Sequence, residues 1–211
     1  MKQNFRAVET RREALLAEKA DGLRAALRDR DPNQVAARSG SSYLAVDSAH
    51  GEFRIPFWGV DHIFPFPDLT AKALSTFQQA LLFYYLLTAD GTSASGKWVS
   101  FADLPDGRMY VRAFQGYTGD EAVKRFGNSL DAFRQTCAGC GGAFVEIGDA
   151  SYVFQALPRV PLMVTYWLGD EEFPSSCKIL FDSSASHYLP IDACAMLGST
   201  LISRIMKASK I

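Results

Sequence analysis

Carboxylates that could act together lie in two nearby segments in the C-terminal third of this 211-residue chain. If the apolar runs 152–156 and 161–168 pair as a hairpin, both segments fall at the same end of it. Clustered carboxylates without Lys or Arg beside them raise one another's pKa and attract a hard cation such as Mg²⁺ or Ca²⁺. The sequence therefore predicts a cation or acid–base site, with turn acids that simply face solvent as the alternative. The residues of this site are Asp149, Asp170, Glu171 and Glu172.

A further acid in this region, Asp182, is predicted to lie apart from that site. The strand predicted at 177–181 separates it from the Asp-Glu-Glu run by about 20 Å, at about 3.3 Å per residue. Asp182 is close enough in sequence to His187 for a hydrogen bond, which would make either an acid–base pair or a loop contact. A Ser–His–Asp triad with the neighbouring serines lacks the strained turn that presents such a nucleophile.

One histidine is predicted to lie among aromatic residues, in the stretch EFRIPFWGVDHIFPFPD. A hairpin that turns at Trp58 and Gly59 pairs Ile55 with His62 and brings Phe64 onto the same face. A titratable group on an apolar sheet face is either a core histidine bonded to backbone or part of a ligand pocket. We take His62, Trp58 and Phe64 as the candidate surface for a small molecule or cofactor.

The motif CAGC places Cys137 and Cys140 three residues apart. Redox pairs of this spacing use a helix N-terminus to lower a thiol pKa, whereas this pair follows a helical segment and meets the carbonyl end of the helix dipole. The other two cysteines, Cys177 and Cys194, are isolated, so the spacing does not match a four-ligand metal site. We expect ordinary thiols, although metal binding by the pair stays open.

Hydrophobic periodicity and turn residues indicate which elements must position these groups. Helices are predicted at 5–30, from a Thr70 cap to about 88, at 119–126, at 129–139 and at 191–206. Strands are predicted in the aromatic hairpin, on both sides of a turn at 105–107, and at 152–156, 161–168 and 177–181. Hairpins and helices occur in blocks, which favours an α+β fold with an antiparallel sheet packed on a central helix, between an N-terminal and a C-terminal helix. Residues 1–38 are predicted to form a charged amphipathic helix and hinge, and residues 39–211 a single domain.

Composition excludes several classes of protein. Hydrophobic residues make up 48% of the chain, enough for a core, and the net charge of −1 is unlike that of a nucleic-acid-binding surface. The charged N-terminal segment does not resemble a signal peptide, and the apolar run 80–87 is far shorter than a membrane span. We expect a cytoplasmic protein with no membrane or nucleic-acid partner.

Two stretches carry a resemblance to a known family, namely GKWVSFADLPDGRMY and GDASYVFQALPRVPLMVTYWLGDEEFPSSCKILFDSSASHYLP. Over about residues 43–207 the chain resembles an uncharacterised domain-of-unknown-function family that is common in anaerobic bacteria and archaea. Some larger members of that family carry an N-terminal iron–sulfur segment similar to that of corrinoid iron–sulfur proteins. The resemblance implies an α+β domain and a role in anaerobic cofactor or one-carbon metabolism. It supplies no catalytic residue, and the charged N-terminal helix implies no intrinsic iron–sulfur cluster.

Three hypotheses on function follow. The first is a non-catalytic domain that binds a small molecule or cofactor, with a corrinoid as one possibility, at the aromatic surface around His62. The second is an enzyme that uses a divalent cation at the Asp149 and Asp170–Glu172 carboxylates. The third is an accessory module whose helix 5–30 docks on a protein partner.

Overall fold

The computed structural model describes residues 2–71 and 73–209 of the chain. The α-helices are α1 (Lys2–Arg28), α2 (Pro32–Ser39), α3 (Thr76–Thr88), α4 (Val111–Tyr117), α5 (Gly119–Phe126), α6 (Leu130–Gly139) and α7 (Ile191–Ala208). The strands are β1 (Ser42–Ala45), β2 (Gly51–Phe57), β3 (Val60–Phe66), β4 (Trp98–Ser100), β5 (Ala143–Val145), β6 (Ala150–Leu157), β7 (Val160–Trp167) and β8 (Ser176–Asp182). They divide into two compact units, Met1–Thr92 and Ser93–Ile211.

The first unit contains a three-stranded antiparallel sheet in the order β1-β2-β3. Its β2–β3 register pairs Phe53 with Phe64, Ile55 with His62 and Phe57 with Val60, which confirms the predicted hairpin. The left-handed conformation of Trp58 and Gly59 closes the two-residue turn, as expected for a hairpin whose strands twist normally.

Helix α3 of this unit begins later than predicted. Its N-cap is Ser75, whose hydroxyl accepts from the Gln78 amide, while the Gln78 side chain accepts from the Ser75 amide. The prediction of a cap at Thr70 was wrong because this reciprocal capping box fixes the helix start at Ser75. The helix carries Phe83, whose ring lies 5.5 Å from that of Phe64.

The N-terminal helix α1 is held to the first unit by its C-terminal part. Arg24 donates to the Leu69 carbonyl and to Gln79, and Arg28 donates to the Pro67 carbonyl. Residues 38–42 contain the end of α2, a left-handed Gly40 cap and the start of β1. A hinge before the main domain stays a prediction.

The second unit contains a five-stranded antiparallel sheet in the order β4-β8-β7-β6-β5. One face of the sheet packs against helices. The Phe133 ring of α6 lies 4.7 Å from Tyr166 of β7, and the Phe114 ring of α4 lies 6.0 Å from Phe181 of β8. Helix α5 approaches β8 so closely that a Cβ on Gly119 would stand 2.0 Å from the Cys177 carbonyl oxygen. Only glycine fits there.

The chain after β4 differs from its prediction. The expected strand at 108–113 is instead a 3₁₀ turn (Gly107–Met109) followed by α4. Phe114 stacks on Phe101 at 4.1 Å between ring centroids, so the aromatic residues that suggested a strand meet through a helix and a turn. Tertiary packing therefore outweighs the strand propensity of this segment.

The α+β prediction is confirmed, with antiparallel strands and a helix at each end of the described chain. The strands form two sheets rather than one. No helix within residues 2–71 and 73–209 is long and apolar enough to cross a membrane. The boundary expected between residues 38 and 39 stays a prediction.

Candidate functional site

The aromatic hairpin surface is only partly accessible. Phe64 is fully buried and packs on Phe83, whereas His62 and Trp58 are half-buried. The His62 and Trp58 rings lie 6.0 and 5.7 Å from Phe57. Burial lowers the pKa of His62, although the nearby Asp61 charge opposes that shift. A ligand here would meet Trp58 and His62 from outside, and their role in binding stays a prediction.

Asp149 and the acidic run lie at the same end of the β6–β7 hairpin. The Asp149 carboxylate accepts from the Leu168 amide at 2.7 Å, so this residue lies beside the turn that contains the acidic run. Asp170 accepts from the amides of Glu172 and Phe173, and these bonds lower its pKa. Glu171 and Glu172 are exposed.

These acids mainly organise the turn. In the described part of the chain, no group of three or more His, Cys, Asp or Glu side chains is placed to hold a metal ion. Cation binding by Asp149, Asp170, Glu171 and Glu172 therefore stays a prediction.

The cysteines are free thiols in the structure. Cys137 lies in the last turn of α6 and Cys140 directly follows the helix. Burial raises the pKa of the Cys137, Cys140 and Cys177 thiols. The nearby Cys177 raises the pKa of Cys137 further, and the Asp120 charge raises that of Cys177. Protonated thiols are poor nucleophiles and poor metal ligands, and the role of these cysteines as ordinary thiols stays a prediction.

Asp182, at the end of β8, is the centre of a hydrogen-bond network that the sequence did not predict. It is buried and accepts from the amide and hydroxyl of Ser95, the amide of Gly96, and the amide and hydroxyl of Ser184 at 2.7–2.9 Å. Burial raises the pKa of Asp182, but the bonds from Ser184 and Ser95 outweigh it and hold the value at about 2. The serine and glycine residues at 95–96 and the serines at 183–184 were the only sign of this network in the sequence.

The Asp182 network positions a crevice at the start of α7, hereafter the α7 crevice. Residues 183–190 run from Asp182 through a 3₁₀ turn into α7, and their fixed course forms one wall. The segment 104–106 forms the opposite wall. The crevice measures about 190 Å³ and is lined by Leu104, Pro105, Asp106, Ser186, Leu189, Pro190, Ile191 and Cys194.

A wider hollow of about 410 Å³ adjoins the α7 crevice, since Leu104, Pro105 and Asp106 line both. It adds Arg108, Met109 and the backbone near Asp103. Its turn depends on Gly107, because a Cβ there would stand 1.8 Å from the Phe101 carbonyl oxygen. Asp106 takes the left-handed conformation just before it, which Asp tolerates better than most residues.

The chemistry of this site is mostly apolar, with polar groups at its rim. Burial raises the pKa of Cys194 to about 12, so its thiol stays protonated and donates to the Leu189 carbonyl. Asp103 accepts hydrogen bonds from the Ser100 amide and hydroxyl, and these bonds lower the pKa of Asp103. The Asp106 carboxylate, the Arg108 guanidinium and the Ser186 hydroxyl are the remaining polar groups for a ligand to meet.

A family model covers residues 31–204 of the chain. It describes the domain of unknown function DUF3786, and it spans most of both compact units. The chain belongs to the DUF3786 family. No curated protein and no solved structure matches it.

Both walls of the α7 crevice fall within the DUF3786 match, whereas α1 precedes it. The same walls come from the two stretches that carry the resemblance, since 104–106 lies in the first stretch and 186–190 in the second. The crevice therefore lies within the matched part of the chain and not in α1.

Proposed function

We propose that this chain is a small-molecule-binding domain and that the α7 crevice is its site. The observation that carries this proposal is a concave, mostly apolar site with a few polar groups, built by two family-typical stretches. Ligand sites in proteins have this composition. The function agrees with the first hypothesis from the sequence, but the site differs, because Phe64 of the aromatic hairpin is occupied in packing on Phe83.

The size and lining of the crevice indicate the class of ligand. An apolar protein cavity of about 150 Å³ holds one benzene ring. The α7 crevice is slightly larger and would accept a ring or a short branched chain, while the adjoining hollow would hold a polar head. The Arg108 guanidinium there would pair with a carboxylate head, against the opposing charge of Asp103 and Asp106 in the same lining. This ligand is far smaller than the corrinoid that the resemblance suggests.

Binding rather than catalysis suits the ionisable groups at the site. The Cys194 thiol stays protonated, and Asp103 is held by Ser100. A reaction would need a base or nucleophile pointing at the ligand, and neither group meets that need.

Benzoate tests this proposal because it combines one ring with a carboxylate. We expect backbone amide shifts of Leu104, Leu189 and Ile191 in ¹⁵N-labelled protein, with a dissociation constant of about 1 mM for a ligand of this size. Ser186→Phe fills the crevice from its rim and should abolish the shifts.

Ser199→Phe is the matched control, since it makes the same change at a half-buried position further along α7. It should leave benzoate binding intact. No amide shifts in the wild type, or the same shifts in Ser186→Phe, would show that the α7 crevice is not a ligand site.

A further inference from the structure

A second feature of the molecule is an exposed apolar surface that the proposed ligand site does not use. Three apolar side chains, Ile147, Leu168 and Phe173, are 42, 37 and 66% exposed. They lie in the segments 146–149 and 168–175. The hydrogen bond from the Leu168 amide to the Asp149 carboxylate joins these two segments. We call these two segments the acidic corner. Exposed apolar groups rimmed by charge are typical of protein-interaction surfaces.

The acidic corner holds its shape through its own hydrogen bonds. Gly169 donates to Asn128 and to Ser175, and the Asp170 amide donates to the Phe173 carbonyl at 2.8 Å. Asp170 in turn accepts from the Phe173 amide. A loop fixed in this way loses little conformational entropy when a partner binds.

The charge of the acidic corner defines its partner. Its two segments contain five carboxylates and no Lys or Arg, and the five are Glu146, Asp149, Asp170, Glu171 and Glu172. Arg134 of α6 donates to the Asp149 carbonyl at 2.9 Å, which leaves the charge of the corner clearly negative. A surface that exposes apolar side chains among acids favours a partner that is apolar and basic.

The chain itself contains a segment of that chemistry. Residues 2–12, the first part of α1, include four Lys or Arg and one Glu, a net charge of +3. The same segment contains Phe5 and Val8, and Leu15 further along α1 is 58% exposed. Contacts of α1 with its own unit occur further along the helix, where Lys19 lies 5.5 Å from the Tyr84 ring and Arg24 and Arg28 donate to backbone carbonyls.

We propose that the chain self-associates, with the first part of α1 of one copy docked on the acidic corner of a second copy. Phe173 and Leu168 provide the apolar contact, and Glu171 and Glu172 meet the basic residues of the helix. Each copy carries both surfaces. This contact is separate from the α7 crevice and does not depend on ligand binding.

Sedimentation velocity of the full-length chain tests the proposal. We expect a concentration-dependent dimer or larger species that weakens between ionic strengths of about 0.05 and 0.5 M, because salt screens exposed charges. The double variants Glu171→Lys/Glu172→Lys and Arg11→Glu/Arg12→Glu should each self-associate about ten-fold more weakly. Mixed in equal amounts, the two variants should associate again, since the unchanged basic helix of the first variant then meets the unchanged acidic corner of the second.

The matched control is Glu52→Lys/Asp61→Lys, which makes the same change in net charge on the β2–β3 hairpin. It should associate like the wild type. A monomeric wild type at low ionic strength, or a mixture of the two reversed variants that stays monomeric, would overturn the proposal.

Discussion

At the scale of single residues, Asp182 organises more of the second unit than any residue that the sequence singled out. Its two oxygens accept five hydrogen bonds and tie the segment at 95–96 to the start of the loop that ends at α7. The sequence placed Asp182 apart from the Asp-Glu-Glu run, and the structure agrees, since β8 runs between them. Its partner Ser95 was not predictable, because 87 residues separate the two.

Asp182→Asn should destabilise the fold by about 2–3 kcal/mol at neutral pH. Asn would put an NH₂ group in place of one carboxylate oxygen. That NH₂ donor would face an N–H or O–H donor of Ser95, Gly96 or Ser184, and the hydrogen bond would be lost. Urea unfolding monitored by circular dichroism measures the loss, and Asp47→Asn, at an exposed turn, is the control, with an expected loss below about 1 kcal/mol.

The same comparison has a defined pH dependence. The native pKa of Asp182 is about 2, below its ordinary value of 3.8, so the contribution of the carboxylate is complete above pH 3.8 and is lost as pH falls towards 2. Between pH 7 and pH 3 the wild type should lose about 1 kcal/mol more than the Asn variant. Equal losses in the two proteins would show that Asp182 is not held ionised by this network.

At the scale of elements, local signals predicted some boundaries and missed others. The hairpin register at Trp58–Gly59 and the bounds of α5 followed from turn residues and periodicity. The start of α3 and the helix α4 did not. The capping box of Ser75 with Gln78 starts α3 five residues after the predicted Thr70 cap.

Ser75→Ala should lower the free energy of unfolding by about 1 kcal/mol, because it removes the acceptor for the Gln78 amide. Thr70→Ala is the control and should change it by less than about 0.5 kcal/mol, since Thr70 is exposed and does not cap the helix. Chemical denaturation of the two variants beside the wild type measures both values. A larger loss at Thr70 would place the helix start where the sequence predicted it.

At the scale of the whole molecule, the sequence predicted the fold class and the terminal helices but not the grouping of the strands into two sheets. Composition and the blocks of hairpins and helices indicate an α+β chain. Whether strands share one sheet depends on long-range pairing, which periodicity does not encode. The α7 crevice was missed for the same reason, because Leu104 and Leu189 are 85 positions apart in the chain.

The predicted boundary at 38 and 39 can be tested by truncation. Val35 and Ala36 of α2 are buried, and Tyr85 donates to the Ser39 carbonyl. A chain that lacks residues 1–38 should therefore be at least about 2 kcal/mol less stable than one that lacks residues 1–30. Urea unfolding of both measures the difference, and equal stability would support a domain that begins at residue 39.

Gly107 and Gly119 have a consequence for how this sequence can evolve. A Cβ at either position would stand within 2.0 Å of a backbone carbonyl oxygen, so every other amino acid requires the main chain to move. A single-base change in a glycine codon always adds a side chain when it alters the residue. Purifying selection should therefore keep glycine at both positions while neighbouring loop positions vary. The turn beside the α7 crevice would then be inherited as a fixed shape, and new ligand preferences would arise from the residues around it.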